Sequence, residues 1–218
     1  MHWILVVNGA FIRTQYLADL LATADCLVGV DGGCAHIHAL GATPHIVIGD
    51  LDSVAAERVT HYTEQGIEII RHSPHKDYTD LELALELALE RGAGRITVLA
   101  ATGGRLDHSL ANILALSRCL ERGVRARIID EHQAIALIDQ DLVLEGRVGD
   151  IVSILPLTEK VCEVWLTGLR YPLHGETLLF GSSRGVSNIL TAPQARIQIG
   201  AGRMLVVHQY AQHDTVSA

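Results

Sequence analysis

Up to about residue 130, short apolar runs alternate with segments of helical period. The runs are Trp3–Val7, Cys26–Val30, His45–Ile48, Ile67–Arg71, Ile96–Ala100 and Ala126–Ile129. Between them, Leu81, Ala84, Leu85, Ala88 and Leu89 recur at three- and four-residue spacing, one apolar stripe of a helix over Leu81–Glu90. Thr79 and Glu82 form a capping box ahead of it, and Gly92 suits its C-terminal stop. The segment Ser109–Arg122 predicts a second such helix, with Leu110, Ile113, Leu114 and Leu120 on one side and Gly123 after it. Apolar strands separated by helices predict βαβ units, hence an α/β domain with a parallel sheet flanked by helices on both faces.

After about Gln133 the helical period stops. Short runs follow at Ala134–Ile138, Leu142–Leu144, Asp150–Leu155, Val161–Leu166, Glu176–Phe180, Arg196–Ile199 and Met204–His208. Gly146, Gly149, Gly168, Pro172 and Gly202 punctuate them. This rhythm predicts an antiparallel β-sandwich or barrel, so the chain divides into an α/β domain over 1–133 and a β domain over 134–218.

Composition agrees: aliphatic residues dominate the apolar fraction and aromatics are only 4%. The formal net charge of −8 comes without a Lys/Arg cluster, which argues against a nucleic-acid partner. Cys26, Cys34, Cys119 and Cys162 show no CxxC pair and read as small buried hydrophobes. The first apolar run is short, lacks a basic flank and ends at Asn8-Gly9, and no stretch reaches the ~18 apolar residues of a membrane span. A soluble, cytoplasmic protein is expected.

The polar residues carry the chemistry. Each of the first five predicted strands is followed by an acidic or glycine-rich turn: Asn8-Gly9, Asp31-Gly32-Gly33, Gly49-Asp50-Leu51-Asp52-Ser53, Lys76-Asp77-Tyr78-Thr79-Asp80 and Gly103-Gly104-Arg105-Leu106-Asp107-His108. In an open α/β sheet these turns share the carboxyl edge, where ligands bind. Taken singly, each has an ordinary explanation as a cap, a turn or a helix-dipole partner. Taken together they are harder to dismiss, because a like-charge pair at ~4 Å costs roughly 4 kcal/mol at an effective dielectric of about 20. A hard divalent cation offsets that cost, and oxygen-only ligands point to Mg²⁺ before zinc or iron. With Lys76, Arg105 and glycine-rich backbone alongside, the set describes a nucleoside triphosphate site.

Other signatures fail. There is no GxxxxGK[ST] and no GxGxxG after the first strand. Gly181-Ser182-Ser183-Arg184-Gly185 matches GxSxG, but the chain around it is β-period rather than strand-then-helix, so a plain turn is expected.

The ordered set Asp31-Gly32-Gly33, Gly49-Asp50-Leu51-Asp52-Ser53, Lys76-Asp77-x-Thr79-Asp80-x-Glu82 and Gly103-Gly104-Arg105-x-Asp107-His108 resembles the thiamine pyrophosphokinase family. Gly168-Leu169-x-Tyr171-Pro172-Leu173 and Gly185-Val186-Ser187-Asn188 extend the resemblance through the second half. Ala100 stands where that family often has glycine. The resemblance implies transfer of diphosphate from ATP to thiamine, giving thiamine diphosphate and AMP, in a homodimer with thiamine where the subunits meet. Carried onto matching positions, it implies catalytic roles for Asp50, Asp52, Asp77 and Asp80, with Mg²⁺ held by Asp50, Asp52 and Asp77. Asp31, Gly32, Lys76, Gly103, Gly104, Arg105, Asp107 and His108 would line the nucleotide. Ser187 and Asn188 would hydrogen-bond the aminopyrimidine, and Trp165 or Tyr171 are candidates to stack on it, although core or edge-strand places suit both better. The acidic set alone leaves open a pyrophosphokinase acting on a hydroxymethylpterin, and the Gly185–Asn188 segment with the full-length match favours thiamine. The rivals from other classes are a non-catalytic nucleotide sensor, against which the intact acidic set argues, and a metal-dependent phosphohydrolase.

Overall fold

Among the residues that the computed structural model describes, 1–73 and 77–211, the first unit (Met1–Glu131) folds into alternating strands and helices. In chain order these are β1 (His2–Val6), α1 (Gln15–Leu21), β2 (Cys26–Val30), α2 (Gly33–Ala39), β3 (Ile46–Gly49), α3 (Ala56–Glu64), β4 (Glu68–Arg71), α4 (Asp80–Glu90), β5 (Arg95–Leu99), α5 (Leu106–Ala115), α6 (Ser117–Glu121) and β6 (Arg125–Ile129). The strands lie in the order β6-β5-β1-β2-β3-β4, and every neighbouring pair is parallel. All five residues of β1 are buried, which is why its sequence is a solid apolar run rather than an alternating one. Helix α4 packs on β1, β2 and β3 and buries Leu81, Ala84, Leu85 and Ala88, the stripe visible in the sequence. After β4 the chain crosses β1 to place β5 on its other side. The strand order therefore reverses between β1 and β5, the switch point at which open sheets bind ligands.

One helix differs from expectation. The segment expected as Ser109–Arg122 is two helices, α5 and α6, joined at the buried Leu116. Helix α5 also begins earlier, with Asp107 and His108 in its first turn, because Gly103 and Gly104 complete the turn in left-handed conformations (φ 94° and 68°) and free the next residues to be helical. The predicted apolar side does not bury: α5 has no buried residue, and Leu106, Leu110 and Leu114 are exposed.

The second unit begins at His132. It contains β7 (Gln133–Ile138), β8 (Leu142–Glu145), β9 (Ile151–Pro156), β10 (Lys160–Thr167), β11 (Leu173–Leu179), β12 (Asn188–Ile189), β13 (Gln194–Gln198) and β14 (Met204–Gln209). Here β12-β9-β14-β7 are neighbours, and β11-β10-β13-β8 form a second sheet, antiparallel throughout. Val152, Ile154, Met204 and Val206 from the first set share one core with Val161, Val164, Leu166 and Ile197 from the second, a β-sandwich. Asp150 and His208 are buried polar exceptions, paired through Nε2 at 2.7 Å. All four cysteines are free. Among the described residues no helix is long and apolar enough to cross a membrane.

Candidate active site at the carboxyl edge

Because the strands of the first unit are parallel, the turns that follow them share one edge. Asp31 directly follows β2 and Asp50 directly follows β3. The β2–β3 register pairs Val30 with Ile48, and the Asp31 N–H donates to the Ile48 carbonyl at 2.8 Å. This brings Asp31 beside the Asp50 turn despite the intervening helix. One carboxylate oxygen from each of Asp31, Asp50 and Asp52 lies within 4.8 Å of the other two. Asp50 accepts from the Asp52 N–H at 3.2 Å, and the Ser53 hydroxyl donates to Asp52 at 3.0 Å. Between the acids, Leu51 takes a left-handed conformation (φ 64°) and is buried against Cys34, Val47 and Tyr62. Apolar burial thus pins a strained backbone, at a cost of roughly 1–3 kcal/mol, so that two acids flank one anchored leucine.

Asp31 itself has φ 48°, and its Oδ1 is buried with no hydrogen-bond partner. An unpartnered buried carboxylate oxygen within a cluster of three acids matches the donor set of a hard divalent cation. Mg²⁺ fits these residues on that ground. The family resemblance implies Asp31 at the nucleotide and Asp77 at the metal; the structure groups Asp31 with Asp50 and Asp52, and Asp77 is outside that group. Asp77 is exposed on the turn before α4, and Asp80 is the first residue of that helix. Lys76 lies outside the described residues.

At the switch point the turns after β1 and β5 pack on each other. The Gly9 N–H donates to the Ala100 carbonyl at 2.8 Å, and the Ala10 N–H to the Thr102 carbonyl at 3.2 Å. Ala100 has φ 56°, a conformation that explains why glycine suits this position. A β-carbon on Gly103 would lie 2.5 Å from that of Ala10, so close approach requires glycine there. Arg105 and Asp107 form an exposed forked pair at 2.5 and 3.1 Å, and the Arg105 hydrogen bonds hold the Asp107 carboxyl down at about 2. Gly32 caps α2 at the same edge, and His108 sits in the first turn of α5.

Two supports went unnoticed in the sequence. Asp130, directly after β6, accepts from the Thr102 hydroxyl at 3.0 Å; the rule applied to the first five strands identifies it when extended to the sixth. His36 stacks on Phe11 at 4.7 Å and meets the Gly9 carbonyl through Nε2 at 3.2 Å; burial pushes its pKa below the ordinary value. No sequence signal marks that pairing.

In the second unit, the two segments singled out by sequence are bonded to each other. Arg170 N–H donates to the Ile189 carbonyl and Thr191 N–H to the Gly168 carbonyl, at 2.9 and 3.0 Å. Asn188 is buried: its Oδ1 accepts from the Tyr171 and Ile189 N–H groups, both at 2.9 Å, and its Nδ2 donates to the Tyr171 carbonyl at 2.7 Å. Ser187 is exposed in a left-handed conformation (φ 60°), and its N–H donates to Ser153 Oγ at 3.0 Å. Trp165 and Tyr171 are exposed rather than core, and Trp165 lies on the outer face of an interior strand, edge-on to His174 at 6.0 Å. Gly181–Gly185 is a turn leading to β12, with no helix after it, so the GxSxG match is no nucleophile elbow.

These features define a class: an open α/β unit with an oxygen-rich acidic ligand edge, followed by an antiparallel β-sandwich. The family described as the thiamin pyrophosphokinase catalytic domain matches residues 17–128, and the thiamin pyrophosphokinase vitamin B1 binding domain matches residues 138–204. The chain belongs to the thiamin pyrophosphokinase family. It is 29% identical over 183 residues to the thiamine pyrophosphokinase of Bacillus subtilis, covering 83% of this chain and 85% of that one. The crystal structure of a Bacillus subtilis thiamine pyrophosphokinase superposes with a TM-score of 0.86 at 26% identity, over 97% of this chain and 100% of that one. That of Geobacillus thermodenitrificans thiamin pyrophosphokinase gives 0.82 at 26% identity, over 99% and 100%.

Proposed function

We propose that this chain transfers the diphosphate of ATP to the hydroxyl of thiamine, giving thiamine diphosphate and AMP. The observation that carries this is the meeting of Asp31, Asp50 and Asp52 at the ligand edge of a chain that matches both halves of the family. Asp31, Asp50 and Asp52 would hold Mg²⁺, which when bound supplies positive charge against the phosphate oxygens. Asp77 and Asp80 belong to the same site, and Arg105 exchanges Asp107 for a phosphate, to which its fork is equally suited. A bond forms from the thiamine hydroxyl oxygen to the β-phosphorus as the bond from that phosphorus to the oxygen bridging the α-phosphorus breaks. The hydroxyl proton passes to Asp52 or Asp80 as general base. Ser187 and the remaining Nδ2 hydrogen of Asn188 address the aminopyrimidine. The proposal includes a homodimer, with thiamine where the subunits meet, and a cytoplasmic location.

Labelled ATP tests the bond that breaks. Label at the γ-phosphate should appear in thiamine diphosphate, and label at the α-phosphate should remain in AMP. Thiamine monophosphate with ADP would overturn the assignment.

A further inference from the structure

We propose that Arg118 is a positioning residue that holds the Asp77–Asp80 turn in place from the neighbouring helix α6, an inference that rests on the assignment of that turn to the diphosphate-transfer site. The guanidinium of Arg118 makes two contacts with this region. Its Nη2 donates to Glu82 Oε1 at 2.7 Å, and its central carbon lies 5.3 Å from the centroid of the Tyr78 ring. Both members of the ion pair are largely shielded, with side chains 34% and 24% exposed, so the pair is less screened than an ordinary surface bridge.

Glu82 carries the coupling onward. Its other oxygen, Oε2, accepts from the Thr79 N–H at 2.9 Å, while its own N–H donates to the Thr79 hydroxyl at 3.2 Å. One carboxylate thus joins Arg118 to the backbone between Asp77 and Asp80. Tyr78, the residue immediately after Asp77, is held by the same guanidinium through its ring. A capping box by itself fixes only the start of a helix. Here it is anchored from outside that helix, so the turn bearing two acids is tied to a second element.

The structure supplies its own control. One turn further along α4, Glu86 accepts from Arg122 Nη2 at 2.7 Å. This pair links the same two elements one helical turn beyond the capping box. Loss of Arg122 therefore reports what an ion pair contributes to helix packing alone. The direction of the metal effect is equally informative. Removing a cation near an acidic site strengthens cation binding through the field. Releasing the turn lets the negative charges of Asp77 and Asp80 drift from the site and weakens cation binding by the same field.

The experiment compares Arg118→Ala, Arg118→Lys and Arg122→Ala in the full chain. Amide hydrogen exchange without ligands is read over residues 77–83, and turnover is read against Mg²⁺ concentration. Arg118→Ala should speed exchange at Thr79 and Glu82, lower kcat about tenfold and raise the Mg²⁺ concentration for half-maximal rate. Arg118→Lys, which keeps the charge, should restore part of both losses, and Arg122→Ala should change neither. Equal exchange in Arg118→Ala and Arg122→Ala, or tighter Mg²⁺ dependence in Arg118→Ala, overturns the inference. Should Arg118→Ala not fold, Arg118→Lys against Arg122→Ala makes the same comparison. If the wild-type chain lacks diphosphate transfer, the functional proposal falls while the exchange comparison still decides whether Arg118 holds the turn.

Discussion

Asp31 and Gly49 meet at the ends of adjacent strands, so closely that a β-carbon on Gly49 would lie 3.2 Å from the β-carbon of Asp31. Gly49 has φ 145°, which disfavours any side chain, and the contact couples the β3 turn to Asp31, whose buried Oδ1 has no hydrogen-bond partner. Gly49→Ala should cost about 1–3 kcal/mol in stability and at least about tenfold in turnover, since it displaces Asp31 from Asp50 and Asp52. Thermal unfolding and steady-state rates check both. A stable variant with full activity would show that Asp31 need not hold its place.

The three clustered acids predict opposite effects on stability with and without a bound cation. Without a cation their mutual repulsion opposes folding, so Asp50→Asn should raise the unfolding temperature of the metal-free protein by about 2–4 °C, corresponding to roughly 1 kcal/mol. Wild type should gain further stability from added Mg²⁺, whereas Asp50→Asn should not. Thermal scans with and without Mg²⁺ provide the test, and a lower melting point for the metal-free variant contradicts it.

Asn188 should prove structural in part. Asn188→Asp turns the atom facing the Tyr171 carbonyl from donor to acceptor in a buried place. A loss of about 1–3 kcal/mol in denaturant unfolding is expected. Ser187→Ala, at an exposed position, should leave stability unchanged and raise the thiamine KM.

The buried Asp150–His208 pair predicts a pH dependence. Burial alone would raise the Asp150 carboxyl, but the N–H groups of Ala211 and Arg147 and the His208 ring outweigh it and hold it below its ordinary value. A carboxyl lowered in the folded state contributes stability above the unfolded value of about 3.9 and loses it as pH falls through the folded value. The stability gap between wild type and Asp150→Asn should therefore be full above about pH 5 and close in stronger acid. Denaturation across that range measures it; a constant gap would show that ionisation of Asp150 is not what stabilises the fold.

Much of this architecture is legible in the sequence, because helices and buried strands impose different apolar periods. The strand over Cys26–Val30 and the capping box at Thr79 and Glu82 are read directly. The break at Leu116 is not, since a joint between two helices preserves the apolar content on either side. Nor is β12, whose two residues are too few to show a period. The acids could be assigned to one edge, but their grouping is set by strand register. That register places Asp31 with Asp50 and Asp52 and is invisible along the chain. Asn188 shows the same limit: its residue type marks a polar site, while its bonds to Tyr171 exist only once the loops meet.

The most direct test is a product assay with purified protein, ATP and Mg²⁺, with and without thiamine. AMP and thiamine diphosphate should form in equal amounts, only when thiamine is present, and EDTA should abolish both. No AMP with thiamine, or phosphate release without any acceptor, would contradict diphosphate transfer to thiamine.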